Sequence, residues 1–335
     1  MTASFSPMRG IALLSASLDS QIALLLAREA GIELTALHFA GFFTRHTDRV
    51  VAFCQRHAVP LSIVDADAIF YDSLRHRRFG DDNVMLDIRM AMFRNAKKLL
   101  SDLETDAVLV TGEVAGQRKG TQTIAAFETI DRHTRLERQV LRPLSAKLLV
   151  PLIPAIDRRI QGEEFLGLSG RTRKELLPLA ERFALTTMPG PSHLTNLYDE
   201  VFVERLLHAF RLTQPIEVDE LRLLEAGKLL VTPAHELIVL GRSQVENEGL
   251  ARFANSDAAQ NCVLITPRNF VGPMALVRSL DERAHRAAAE LVVKSSKQSA
   301  DLPAVVEIHY RGTSREFTIE RTSDLALAVE LKLLG

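Results

Sequence analysis

Short apolar runs alternate with stretches of helically spaced leucines and alanines through the first third of the chain. Residues 10–14 read Gly-Ile-Ala-Leu-Leu and end at small polar residues; 21–30 follow with leucines at helical spacing, and Gly31 lies just beyond. This predicts a strand, a tight turn and a helix. The same alternation predicts strands over 33–39, 61–65 and 107–111, and helices over 47–57 and 86–103. Strands alternating with helices at this pitch argue for an α/β domain, a parallel sheet covered on both faces in the Rossmann-like manner.

Further on the pattern loosens. Residues 116–151 are irregular and basic, with Pro143 and Pro151 as punctuation and Pro154 shortly after, which predicts active-face loops and a short helix. A helix is expected to begin in 168–174 and to run to Phe183. Met188-Pro189-Gly190-Pro191-Ser192-His193 is a turn-rich loop that no helix runs through. A boundary is expected near Gln214-Pro215, beyond which 236–240 and 262–266 read as strands and 305–320 alternates around a glycine-containing turn, as a hairpin does. The organisation expected is therefore a nucleotide-binding type of domain over 1–150, a helical and loop extension over 151–214, and a small α+β domain over 215–335. There is no internal repeat.

Composition narrows the function classes. The 335 residues are 47% hydrophobic and 25% charged, with a mean hydropathy of +0.05, enough to build the cores of two or three domains. Lys+Arg 41 against Asp+Glu 42 leaves a formal charge of −1, so any nucleic-acid contact must come from a local basic face. Residues 132–174 hold ten Lys/Arg against four Asp/Glu, a run that suits either an RNA-facing surface or a solvated one. No signal-like start and no apolar stretch of the roughly 18 residues needed to span a bilayer are present, so a cytoplasmic protein without membrane association is expected. The cysteines, Cys54 and Cys262, lie far apart without C-x-x-C spacing and are expected to be packed core thiols. The histidines show neither H-x-x-x-H nor H-E-x-x-H spacing, so no metal site is expected.

In open parallel sheets, ligands sit beyond the carboxyl ends of the strands, where a helix N-terminus offers free N–H groups to phosphate. Leu14-Ser15-Ala16-Ser17-Leu18-Asp19-Ser20 occupies such a junction. It resembles the S-G-G-x-D-S pyrophosphate loop of the PP-loop ATPases, with Ser15, Asp19 and Ser20 at matching positions and Ala16 and Ser17 in place of both glycines. Thr111-Gly112-Glu113-Val114-Ala115-Gly116-Gln117-Arg118, Leu141-Arg142-Pro143-Leu144-Ser145-Ala146-Lys147 and Leu168-Ser169-Gly170-Arg171-Thr172-Arg173-Lys174 are similar to segments of the tRNA thiouridylase-like branch of that superfamily. Residues 224–250, with Gly272-Pro273, resemble the RNA-binding module fused behind the domain in many members.

The resemblance implies ATP as cofactor, with magnesium, held by Ser15, Ala16, Ser17, Asp19, Ser20, Gly112, Gln117 and Arg118. Asp19 suits either a role in catalysis, orienting magnesium or the triphosphate, or the capping of the helix, as does Ser20. Arg142, Lys147, Arg171, Arg173 and Lys174 are the candidates for a tRNA or other RNA backbone. Members that look catalytically equipped carry a C-x-x-C-H segment before the long helix and a P-A-G-G-C segment later, whose thiols hold a sulfur atom or an iron–sulfur cluster. Here Met85, Ile88 and Ser192 stand at those positions, so no iron–sulfur cluster is expected. Three readings follow: a nucleotide- and RNA-binding relative without cysteine chemistry; an ATP-dependent adenylating enzyme acting on a tRNA base with sulfur supplied by a partner protein; or a structural subunit with a closed pocket, paired with an intact paralogue.

Overall fold

The computed structural model describes residues 7–78, 83–103, 106–149, 162–171, 174–185, 195–296, 303–320 and 332–334. The chain divides into two compact units, Met1–Asp199 and Glu200–Gly335.

In the first unit the strands β1 (Met8–Leu13), β2 (Ile32–Ala40), β3 (Leu61–Asp65), β4 (Val108–Val110) and β5 (Val140–Leu141) form one parallel sheet in the order β3-β2-β1-β4-β5. Helices α1 (Leu18–Glu29), α2 (Thr47–Arg56), α3 (Asp67–Arg75), α4 (Val84–Ser101), α5 (Ile124–Thr134) and α6 (Leu176–Arg182) accompany it. From β1 the chain adds β2 and β3 on one side and then crosses to place β4 on the other, so the direction of winding reverses between β1 and β4. In doubly wound sheets that reversal opens a crevice for ligands. Helix α1 is buried from Leu18 through Ala27, as expected for a helix apolar on nearly every face.

Helix α1 starts earlier than the leucine spacing predicts. Ser17, not Asp19 or Ser20, is the N-cap: it is extended (φ −75°, ψ 146°) and its hydroxyl accepts from the Ser20 amide at 3.2 Å. Asp19 and Ser20 are thereby drawn into the first helical turn. The irregular 116–151 stretch contains α5, eleven residues capped by the Thr123 hydroxyl, and the edge strand β5. The helix answers to the short one expected there, and a charged residue from outside it packs on its apolar face.

That residue is Arg142. Expected on an RNA-facing surface, it is 2% exposed, and its guanidinium lies 4.2 Å over the Phe127 ring. Nη1 and Nη2 donate to the two Asp131 oxygens at 2.9 and 2.8 Å, and Nε donates to Glu113 Oε2 at 3.0 Å. Burial opposes the charge on Arg142, and the two carboxylates more than restore it. A guanidinium spent on two buried carboxylates is not available to phosphate, so Arg142 is a structural clamp joining β5, α5 and the loop after β4. The helix expected to begin in 168–174 starts only at Leu176 and ends at Arg182, because Ser169 is engaged in an isolated parallel bridge to Ala115. Arg173 and residues 188–193 lie outside the described residues.

The second unit is an antiparallel sheet with, among the described residues, three helices, α7 (Glu200–Ala209), α8 (Gln244–Ala254) and α9 (Glu282–Lys294). Its strands β6 (Lys228–Val231), β7 (Leu237–Leu240), β8 (Cys262–Pro267), β9 (Ala275–Arg278), β10 (Ala304–Tyr310), β11 (Thr313–Ile319) and β12 (Lys332–Leu334) run in the order β11-β10-β8-β9-β7-β6-β12. The expected hairpin is β10–β11, closing through Arg311 and Gly312 at φ 46° and 77°, a two-residue turn whose twist matches the strands. The units divide at Asp199/Glu200, ahead of Gln214-Pro215, because α7 packs on the 3-10 stretch Val218–Glu225 of the second unit. Arg278, on β9, anchors that stretch with two bonds to Glu220 at 2.7 and 2.6 Å. Among the described residues no helix is long and apolar enough to cross a membrane.

Replacing Asp131 with Ala leaves the buried Arg142 guanidinium short of its bidentate partner. The denaturation midpoint of the first unit is expected to fall by the equivalent of about 3–5 kcal/mol, measured by urea titration; a loss under about 1 kcal/mol would show that the pair contributes no more than a surface ion pair.

Candidate functional site

The loops after β1 and β4 face each other across the winding reversal, and the residue that lets them meet is Gly112. A Cβ there would lie 2.5 Å from the Ser20 backbone nitrogen and 2.6 Å from the Asp19 carbonyl carbon, closer than real side chains come. Only hydrogen fits between the end of β4 and the first turn of α1. With the strands so close, the Gln117 amide reaches Asp19 Oδ1 at 3.4 Å.

Beyond this contact opens a cleft of about 990 Å3, the open solvent at its mouth included. Ser15, Ser17, Asp19, Ser20, Gly112, Gln117 and Arg118 all line it, so seven of the eight residues expected to hold a cofactor are brought together. Ala16 is the eighth: its methyl is 1% exposed and packs in the hydrophobic core with Leu14 and Leu18, facing away from the cleft. The serine hydroxyls are knitted to one another. Ser15 Oγ and Ser17 Oγ lie 3.0 Å apart, Ser17 Oγ and Ser20 Oγ 3.1 Å, and Ser20 Oγ lies 2.9 Å from the Ser15 carbonyl. Side chains thus supply the turn that glycines would otherwise make.

Among the described residues, three guanidinium groups line the cleft, on Arg45, Arg89 and Arg118, against one carboxylate, Asp19. Arg89 Nη1 stands 3.8 Å from Glu113 Oε1 and Arg118 stacks 3.9 Å from the centre of the Tyr198 ring. An excess of fixed positive charge in a concave, half-apolar site favours an anionic ligand. Gln122 is 3% exposed and its Oε1 has no hydrogen-bond partner among the described residues. A buried amide oxygen without a partner is costly unless a ligand satisfies it.

On the β2 side, His38 is 3% exposed; its Nδ1 lies 3.0 Å from the Leu14 carbonyl and its Nε2 2.9 Å from the Thr47 hydroxyl. A carbonyl only accepts, so Nδ1 carries the proton and Nε2 accepts from Thr47. Burial pulls the His38 pKa below its ordinary 6.5, keeping this tautomer neutral. The ring therefore staples β2 to the serine loop.

The remaining RNA candidates sit elsewhere. Lys147 is exposed on a 3-10 turn and donates to the Glu163 carbonyl at 3.2 Å, and Arg171 and Lys174 are exposed. None of the three lines the cleft. Residues that the sequence reading missed are His38, Arg45, Arg89, Gln122 and Tyr198. A helix register points Arg89 at the cleft one turn after Met85, but nothing local marks Gln122 or Tyr198, whose setting is made by distant segments.

Loop and topology are those of a doubly wound α/β unit with a cleft at its winding reversal. The family model described as Thiamine biosynthesis protein (ThiI) matches residues 5–164, a little under half of the chain. A probable tRNA sulfurtransferase from Moorella thermoacetica is 33% identical over 144 residues, 41% of this chain and 36% of that protein. The match thus spans about a third of the relative's length. The crystal structure of a 4-thiouridine synthetase–RNA complex with bound ATP is 20% identical, covering 52% of this chain and 50% of that one at a TM-score of 0.35. A predicted subunit of tRNA methyltransferase from Methanocaldococcus jannaschii is 11% identical (56% and 95% covered, TM-score 0.31). The C-terminal part of the fibronectin/fibrinogen-binding protein of Streptococcus suis is 18% identical (45% and 74% covered, TM-score 0.24). At such TM-scores the structural likeness is partial and no activity transfers from it.

Two outcomes follow from this geometry. Gly112→Ala is expected to cost about 1–3 kcal/mol, as overpacking does, and to distort the Asp19–Gln117 contact; unchanged thermal stability with an unchanged amide spectrum would show that α1 yields freely. For His38, a pKa depressed in the folded state means that its contribution to stability is complete above pH 6.5 and is lost as pH falls below it. Imidazole 15N shifts should report the neutral Nδ1–H form at pH 6.5, and half-protonation at or above that pH would contradict the assignment.

Proposed function

We propose that the cleft binds ATP and that the chain acts as a nucleotide- and RNA-binding relative of the tRNA thiolation enzymes that does not itself transfer sulfur through cysteine. The observation that carries this reading is the lining of the cleft: where equipped relatives are expected to present thiols, Met85 and Ile88 form an apolar wall beside Arg89. The chain's two cysteines stand apart from it. Cys54 lies on the buried face of α2 and Cys262 in β8, both buried, and burial pushes their thiols up to about 11 and about 12. At neutral pH neither supplies the thiolate that sulfur chemistry requires.

The residues present suit ATP. The first turn of α1 turns its N-terminal end to the cleft, Gln117 and Arg118 flank it, and the unpartnered Gln122 oxygen offers an acceptor to a ligand N–H or hydroxyl. Asp19 would hold magnesium, whose preference is for hard oxygen ligands, and the ion would neutralise part of the phosphate charge. RNA contact falls to the exposed Lys147, Arg171 and Lys174, to Arg173, and to the second unit; a cytoplasmic setting agrees with such a partner.

A second reading, adenylation of a tRNA base with sulfur brought by a partner protein, is favoured by the same cleft. An open, cation-rich cleft speaks against the third, a structural subunit with a closed pocket. Calorimetric titration with ATP and magnesium is expected to give micromolar affinity, about −8 kcal/mol, weakened at least tenfold in Asp19→Ala and Gln122→Leu. No heat up to millimolar ATP would sink the nucleotide reading, and ATP–pyrophosphate exchange dependent on tRNA would move the protein from the first reading to the second.

A further inference from the structure

The loop after β4 presents Arg118 to the cleft with its guanidinium face against Tyr198, 3.9 Å from the ring centre. Among the described residues, neither side chain makes a hydrogen bond or ion pair. Stacking engages only the flat faces of a guanidinium, so all its in-plane N–H donors stay free for an anion. An arginine on an unsupported loop samples many rotamers, and ordering it opposes binding. Here the ring does the ordering beforehand.

Tyr198 is itself held in place. It ends the 3-10 turn Asn196–Tyr198, which is capped by the Thr195 hydroxyl accepting from the Leu197 amide at 3.2 Å. The Thr195 hydroxyl donates to the Phe43 carbonyl and the Asn196 amide to the Phe42 carbonyl at 3.3 Å, while Leu197 is 3% exposed. Phe43, fully buried, packs edge-on to Phe42 and against Phe70. The turn is thus riveted to the segment leaving β2, on the opposite wall of the cleft from the loop that carries Arg118. Two walls made from distant parts of the chain are joined across the cleft by a cation–π contact.

We propose that Tyr198 is the positioning residue for Arg118: it holds the guanidinium, donors free, where the phosphates of a nucleotide enter the serine loop. The inference rests on the nucleotide reading and adds to it the residue that sets affinity for the charged part of the ligand. Its consequence is a division of labour, since loss of the ring should weaken binding of the phosphates and leave binding of the nucleoside alone.

The test titrates the full chain with ATP and magnesium and, separately, with adenosine, for the wild type, Tyr198→Phe, Tyr198→Leu, Arg118→Gln and the Tyr198→Leu/Arg118→Gln pair. Tyr198→Leu is expected to weaken ATP about fivefold to thirtyfold, the range of a desolvated cation–π contact, with adenosine unchanged. Tyr198→Phe should stay within about twofold of wild type, because the ring face and not the hydroxyl is used. The double variant should be no weaker than Arg118→Gln alone. Undiminished ATP binding in Tyr198→Leu, equal losses for ATP and adenosine, or losses that multiply in the double variant would overturn the proposal while leaving the nucleotide reading intact. A wild type that binds no ATP would sink both.

Discussion

The meeting of β4 with the start of α1 is the contact on which the first unit turns. Gly112 has no side chain to place there, and the backbone of Asp19 and Ser20 fills the space a methyl would need. Gly10 repeats the device one layer down, where a Cβ would stand 2.5 Å from the Val108 carbonyl oxygen. Between them these two positions let β1, α1 and β4 close up at the point where the sheet reverses its winding. Everything that gives the cleft its character follows from that proximity. Gln117 reaches Asp19, the serine loop faces the loop after β4, and an apolar floor continues between them.

Arginines in this unit have opposite fates for an electrostatic reason. Arg142 is surrounded by the carboxylates of Asp131 and Glu113 and is consumed in holding the loop after β4 to α5. Arg118 has an aromatic ring and, among the described residues, no carboxylate, so its charge is ordered without being neutralised. Arg89 is intermediate, 3.8 Å from a Glu113 oxygen that lacks a hydrogen-bond partner. A cleft that is to hold an anion needs the second arrangement, and a scaffold that must stand without one needs the first.

On the proposed reading, the serine loop is a pyrophosphate turn with Ala16 and Ser17 where glycines are expected. Ala16 turns its methyl into the core and Ser17 caps α1, with an extended backbone that any residue adopts. Neither replacement demands a positive φ, and neither closes the cleft. On the proposed reading, what has been removed from the site is therefore the thiol chemistry, while the cradle remains.

The parallel first half was legible from the chain because it rests on local information: apolar runs of strand length, helical spacing and the glycines between them. The serine loop, Gln117 and Arg118 were legible for the same reason, since they follow the carboxyl ends of strands. Tertiary structure alone decided which basic residues are buried, that Ala16 is core, that α5 completes its apolar face with an ion pair, and that Gln122, His38 and Tyr198 share one cleft. The physical reason is range. A periodic pattern is written within a dozen residues, whereas the protonation of His38, the charge of Arg142 and the posture of Arg118 are each set by groups that come near only when the chain has folded.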